Sequence, residues 1–427
     1  MKKLIFLFLF LFCFVFSAIA YAVSMQGPDK ADPGHARAFQ RMPKAKETPM
    51  EIFASGHGYV HSGGGTQADD TDTGDFIVGS QSLHVTTDGD GVELFSTSPT
   101  YSPTLDFTSS DFILKFKISG IDNVNAVRLG VSSDGFATTR YFWDLNNLGI
   151  TSGHIHDNEW TTLTISIANK NSGFTDSNLA AINKMRLRVD DDATGPVEVW
   201  WNVIAKKSLP TAGMVTIGFD DSLSSQFSVA ATKMAEYGFP GVAYVITDSV
   251  GTSGNLTLDE LLTMQNLLGW EIGGHDSQPL EDISIEAAED RIKNTKKWLV
   301  DNGFSHGVDH YAIPGGGTGI TSAVTKLLEK YFVTVRSSTG IHETYPPANW
   351  TRLRKVTVTD TTTPATIATL IDNARVEKAW LHLLFHDIVA SPSTTFEYSI
   401  TNFNTIIDDI AADGIAVKTI SQAIIDG

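Results

Sequence analysis

The stretch "MVTIGFDDSLSSQFSVAATKMAEYGFPGVAYVI", residues 214–246, sets an apolar strand, a helix-length amphipathic segment and a second apolar strand in succession. The rhythm continues downstream. "WEIGGH" (270–275) precedes "SIEAAEDRIKNTKKWLVDNG" (284–303), "HYAIPGG" (310–316) precedes "ITSAVTKLLEKY" (320–331), and "FVTVRS", "RLRKVTV", "WLHLLFHDI" and "AVKTIS" follow. Apolar strands alternating with amphipathic helices predict parallel β/α units, because strands covered on both faces read as continuous apolar runs. Residues 213–427 are therefore expected to form a distorted (β/α) barrel.

Upstream the period changes from helical to two. "SLHVTT" (82–87), "FILKFKIS" (112–119), "WTTLTISIA" (160–168) and "VEVWWNVI" (197–204) alternate apolar and polar residues between Gly-, Asp- and Asn-rich turns. This pattern over residues 50–208 predicts an antiparallel β-sandwich of jelly-roll type. The expected chain is thus multidomain, with residues 209–212 as linker. Residues 23–49, rich in Pro, Gly and charge without a period, are expected to be a flexible lead-in. The first 22 residues, "MKKLIFLFLFLFCFVFSAIAYA", pair a basic start with an apolar core and an Ala-x-Ala end, the pattern of a secretory signal peptide. A secreted, periplasmic or cell-surface location is the corresponding expectation; a retained anchor would need a longer apolar run.

Cys13 is the single cysteine of the 427 residues and lies in that leader, so the mature chain has no disulfide, thiolate ligand or cysteine nucleophile. The net charge of −18 becomes −20 without Lys2 and Lys3. That balance argues against nucleic acid and anionic membrane as partners, and no long apolar segment beyond the leader predicts membrane insertion.

In a parallel barrel the strand ends converge on one rim. Those ends carry Asp220 and Asp221, His275, the "IPGGG" run with Pro314 and Gly315, and His386. The acid pair has two readings. Asp220 and Asp221 would serve as a helix cap and a first-turn acid ahead of "SLSSQF". Alternatively one carboxylate holds a divalent cation while its neighbour stays free as a general base. Likewise, His275 and His386 suit either structural roles at strand ends or metal ligation and proton donation. His382 and His386 imitate an HxxxH zinc motif. On a strand, however, four residues separate them by roughly 13 Å, too far to share an ion.

"TIGFDDS", "WEIGGHDSQPL", "YAIPGGG" and "LLFHD", in this order, resemble the polysaccharide deacetylases of carbohydrate esterase family four, the NodB homology domain. The resemblance covers 213–427. It implies a divalent metal, commonly Zn2+, and hydrolysis of N-acetyl or O-acetyl groups on a polysaccharide or oligosaccharide. By motif position it implies Asp220 as catalytic base, Asp221 and His275 as metal ligands, and His386 as catalytic acid. Pro314 and Gly315 would border the substrate. Two departures stand out. Pro279 occupies the position of the family's second metal-binding histidine, with Asp276, Gln278, Glu281 and Asp282 as nearby substitutes. The family's base-orienting arginine is absent from "YAIPGGG", leaving Arg352 or Arg354 to replace it. A catalytically weakened barrel acting as a saccharide-binding or cell-surface module is the alternative that these departures motivate.

The first domain is similar to carbohydrate-binding jelly rolls by pattern alone. Its aromatics Tyr141, Trp143, Trp160, Trp200 and Trp201 are expected mainly in packing, with one of the adjacent tryptophans facing outward. Trp201 is the candidate sugar platform. The acidic runs at Asp69, Asp70, Asp72 and Asp75 and at Asp190–Asp192 offer oxygen ligands for Ca2+, or simply a solvated acidic face.

Overall fold

The computed structural model describes residues 42–43, 46–146, 155–171, 175–317, 320–339 and 342–426. The leader expected at 1–22 lies outside them, and no helix among the described residues is long and apolar enough to cross a membrane.

Two antiparallel sheets form the first domain. One holds β1 (Glu47–Glu51), β3 (Thr66–Asp70), β4 (Ser82–Thr86), β6 (Ser110–Ser119), β9 (Trp160–Ile165) and β11 (Glu198–Ser208) in the order β3-β4-β11-β6-β9, with β1 also on β11. The other is β2 (Val60–Gly63), β5 (Leu94–Thr97), β10 (Lys184–Asp191), β7 (Val124–Ser132) and β8 (Tyr141–Asp144), in that spatial order. Alternate residues turn inward from both sheets, among them Leu83, Val85, Phe112, Leu114, Leu129, Trp143, Leu187 and Trp201. This is the sandwich that the period-two pattern predicts. Strand β1 starts at Glu47, inside the stretch read as a lead-in, and Trp350 donates its indole N–H to the carbonyl of Pro43 at 3.1 Å.

The second domain is a closed barrel of seven parallel strands. These are β12 (Met214–Phe219), β13 (Val242–Ile246), β14 (Glu271–His275), β15 (His310–Ala312), β16 (Thr334–Thr339), β17 (Leu353–Thr357) and β18 (Trp380–Phe385). Closure is narrow: β12 meets β13 only through Gly218 with Val242 and Phe219 with Ala243. At its other end Met214 and Val215 pair instead with the short strand Ala416–Val417. The expected distortion is therefore a barrel split at the bottom and shut at the rim. Helices pack outside, burying Leu261, Met264, Leu299, Ile367 and Ile407 against the strands. The glycines of "WEIGGH" permit this closeness. A Cβ on Gly274 would lie 2.7 Å from Thr295 of the outer helix, and one on Gly273 would lie 2.8 Å from the carbonyl of His310.

The two domains share a buried polar seam. Arg354 donates to Glu343 at 2.9 Å and to the carbonyl of Thr164 at 2.9 Å, across the domain boundary. Lys207 reaches Asp111 and the carbonyl of Tyr345, while Asn169 donates to the carbonyl of His342. Burial raises the Asp111 carboxyl to about 6 although Lys207 opposes the shift. Arg354→Ala leaves Glu343 buried without its cation. It is expected to destabilise the chain by about 3–5 kcal/mol. Denaturant unfolding of the variant checks this, and an unchanged midpoint would show that the seam contributes nothing.

Candidate active site

Asp220 and Asp221 follow β12 at the rim, yet neither caps a helix. The next helical turn begins at Gln226 with Ser225 at its N-cap. Instead the backbone passes through two consecutive left-handed residues, Asp221 at φ 72° and Ser222 at φ 61°. Non-glycine residues adopt this region rarely, and such strain persists only where surrounding contacts hold it. Here Ser222 is fully buried and its hydroxyl accepts the N–H of Ile246 at 2.8 Å. The kink separates the two carboxylates. Asp220 is buried, 4% exposed, inside the barrel mouth, whereas the Asp221 side chain is 41% exposed.

Asp220 meets Arg336 of β16, whose Nη2 donates to both carboxylate oxygens at 2.6 Å. Burial alone would raise the Asp220 carboxyl. Arg336, followed by His275, His386 and Lys355, outweighs it and lowers the group to about 2. Arg336 is thus the cation on the buried acid. The expectation of Arg352 or Arg354 in that role is corrected: Arg354 is committed to Glu343 and the domain seam. Arg352 lies beyond the start of β17 at the other end of the barrel strand from the rim.

His275 ends β14 with its Nδ1 on the carbonyl of Ala312 at 2.8 Å. That bond fixes the tautomer, placing the proton on Nδ1 and leaving the Nε2 lone pair free. Nε2 lies 3.5 Å from Asp221 Oδ1 and 3.9 Å from Asp220 Oδ2. Two ligands at about 2.1 Å in tetrahedral geometry stand roughly 3.4 Å apart, so Asp221 and His275 fit one divalent ion. Among the described residues no third His, Cys, Asp or Glu completes a three-ligand cluster there. Two of the substitutes near Pro279 are engaged elsewhere. Arg291 of the outer helix donates to Asp276 at 2.6 Å and to Gln278 at 3.1 Å. Glu281 keeps a buried, unpartnered oxygen and a carboxyl raised by burial. Pro279 itself packs towards Gly315, whose φ is 67° and whose added Cβ would lie 3.6 Å from the proline ring. Pro314 is buried beside it and Gly315 is exposed.

His386 follows β18, half-buried, with its ring 4.6 Å from that of Phe396 and a buried Nδ1 that has no hydrogen-bond partner. Burial lowers its pKa, with Asp220 and Asp221 pulling the other way. Its neighbour on the strand, His382, is enclosed inside the barrel and pushed down to about 3 by burial and by Arg336. The two imidazoles therefore do not form an HxxxH pair.

Two positions in the mouth escape a reading by motif. Gln226 donates its side-chain amide to the carbonyl of Asp220 and, at 3.4 Å, to that of His386, tying two rim segments together. Lys355, buried in β17, donates to Thr357 at 2.8 Å, and burial with the nearby Arg336 pushes it down to about 7. Arg336 and Lys355 both lie in strands already rich in polar residues, Thr334–Thr339 and Leu353–Thr357, so no local pattern marks them. Because the folded protein binds this proton less tightly than the unfolded chain, stability is expected to rise as pH increases from about 7 to 10.5. Lys355→Met should flatten that rise and add on the order of 3 kcal/mol at neutral pH. Thermal unfolding of both proteins across this range is the check.

In the sandwich, Trp201 is not a platform. It is 1% exposed and packs on Phe116 in the core, since strand alternation turns it inward. Trp200 faces outward but is covered, stacked on His84 at 4.3 Å with Lys117 4.1 Å from its ring. The ligand atoms of Asp70, Asp72 and Asp75 lie within 4.8 Å of one another, close enough for a metal ion. Lys117 already pairs with Asp75. Asp190 pairs with Arg188, and Asp191 accepts three backbone N–H groups from Gly89, Gly91 and Ala193.

No protein-family model matches the chain, and no curated protein matches it. Solved structures similar to parts of it include the Xyl-CE4 domain of a multidomain xylanase from the hindgut metagenome of Trinervitermes trinervoides. That likeness has 15% identity and a TM-score of 0.36 over 51% of this chain and 91% of that chain. A family 4 acetyl xylan esterase from Clostridium thermocellum, in complex with a cobalt ion, is similar at 18% identity and TM-score 0.36, over 49% and 89% of the respective chains. A structure of carbohydrate-binding modules from the β-sandwich superfamily is similar at 12% identity and TM-score 0.28, over 38% of this chain and 62% of that one.

Proposed function

We propose that this protein is an exported, metal-dependent hydrolase that removes acetyl groups from a glycan. The observation that carries the reading is the division of labour between adjacent acids. Asp220 is buried on Arg336 while Asp221 turns towards His275. Zn2+ is the ion best suited to that carboxylate and imidazole, with water or substrate completing the sphere. When bound, it supplies Lewis acidity, lowering the pKa of water and polarising a carbonyl. Such help is needed, because a carboxylate held at about 2 is always ionised but weakly basic. Asp220 accepts the proton of the attacking water, and Arg336 holds it in place. His386, kept neutral by burial, becomes a strong acid once it takes up a proton and delivers that proton to the departing amine or alcohol.

A second reading has its own observation. With Pro279 against Gly315 and with Asp276 and Gln278 tied to Arg291, two protein ligands alone face each other among the described residues. A barrel that binds acetylated saccharide without turnover is consistent with that. Zinc titration and acetate release from acetylated chito- and xylo-oligosaccharides separate the two. Stoichiometric metal with acetate release that a chelator abolishes supports the hydrolase. Saccharide binding with neither metal nor acetate release establishes the weakened barrel.

A further inference from the structure

The outer face of the second sheet of the sandwich carries an open groove bordered by Phe95, Phe136, Arg128, Arg140, Arg186 and Arg188. Strand register builds it in two rows. Arg188 of β10 stands opposite Phe95 of β5 and Arg128 of β7, and Arg128 stands opposite Asp144 of β8. In the next row Arg186 stands opposite Thr97 and Gly130, and Gly130 opposite Phe142. Gly130 leaves the floor flat. The loop between β7 and β8 folds Phe136 over it, 3.4 Å from where a Cβ would be. Asp134 fixes that loop by accepting the N–H groups of Ala137, Thr138 and Thr139.

The cations of the groove are not equivalent. Arg128 is paired with Asp144, and Arg188 with Asp190 and Glu93. Arg186 has no carboxylate partner among the described residues. Its Nε donates to Thr97 Oγ1 at 3.0 Å, and its guanidinium lies 4.2 Å from the Phe136 ring and 5.1 Å from that of Phe95. A planar fork held between two aromatic rings, with one edge tied down, is prepared for a bidentate anion.

We propose that this groove binds a sugar ring bearing a carboxylate, with Arg186 pairing the carboxylate and the phenylalanines covering the apolar face of the ring. The ligand is a glycan with isolated acidic residues and not a dense polyanion. Arg128 and Arg188 already carry counter-charges, and a net charge of −18 repels polyanions at long range. Aromatic faces suit the C–H side of a pyranose, and the glycine floor allows its close approach. The site is independent of the barrel's chemistry, and its test reads binding alone, so neither hypothesis falls with the other.

Calorimetric titration of the full chain with a xylo-oligosaccharide carrying one glucuronate branch, and with the unbranched oligosaccharide, is the experiment. Binding of the branched ligand, weakened roughly tenfold or more by removal of the carboxylate or by Arg186→Leu, is expected. Gly130→Val, which fills the floor, should abolish it with Arg186 intact and serves where Arg186→Leu fails to fold. Equal affinity for both oligosaccharides, or no binding of either, overturns the proposal. So does inorganic sulfate binding as tightly as the branched sugar, which would mark a bare oxyanion site.

Discussion

Asp220→Asn is expected to lower the rate of acetate release by roughly 10³-fold, the range over which a general base contributes, while zinc binding persists. The amide occupies the same space in the barrel mouth but accepts no proton at working pH. Asp221 and His275 are untouched, so the ion keeps both protein ligands. The substitution also removes the only anion bonded to Arg336 among the described residues, where its Nε and Nη1 already lack partners. An accompanying loss of stability of about 3–5 kcal/mol is expected. Activity must therefore be compared below the variant's melting transition, with metal content measured on the same sample. Loss of the metal in Asp220→Asn would mean that the roles of the two acids are exchanged. Unchanged turnover would remove Asp220 from the chemistry altogether.

Arg336→Met should produce the second-largest effect, and its signature is a pH profile. In the wild type Arg336 is the leading influence holding Asp220 at about 2, against a burial that pushes the carboxyl up. Without the guanidinium, burial dominates and the carboxyl titrates higher, by about one to three pH units for the loss of an adjacent arginine. The acid limb of the rate profile is expected to move up correspondingly, with activity near neutral pH reduced about tenfold or more. A carboxyl lowered by folding stabilises the protein above about 3.8, and that contribution disappears as pH falls through about 2. Arg336→Met abolishes it. Because one nitrogen, Nη2, serves both oxygens, Arg336→Lys retains the charge and should recover part of the activity. A purely structural arginine would leave the acid limb where it was.

The reading of Trp201 shows where a local pattern stops. Alternation in "VEVWWNVI" establishes that the two tryptophans face opposite ways, but not which face is the core. Pairing of Trp201 with Phe116 on β6 decides that, placing Trp201 inside and Trp200 outside. Covering of Trp200 by His84 and Lys117 then depends on the neighbouring strands β4 and β6.

The same division runs through the barrel. Sequence by itself determined the two architectures, their order along the chain, and the strand ends that meet at one rim. Hydrophobic period and strand–helix alternation are local properties, and a parallel barrel sends every strand's C-terminal end to the same face. The rim therefore assembled Asp220, Asp221, His275 and His386 from positions readable one strand at a time. Only the tertiary structure decided which arginine serves Asp220, because Arg336 reaches it across the barrel from a strand 116 residues away. It also decided that Asp276 and Gln278 turn to Arg291, and that two left-handed residues part the adjacent acids. These are matters of side-chain reach between elements and of backbone dihedrals held by distant contacts, which no periodicity along the chain encodes.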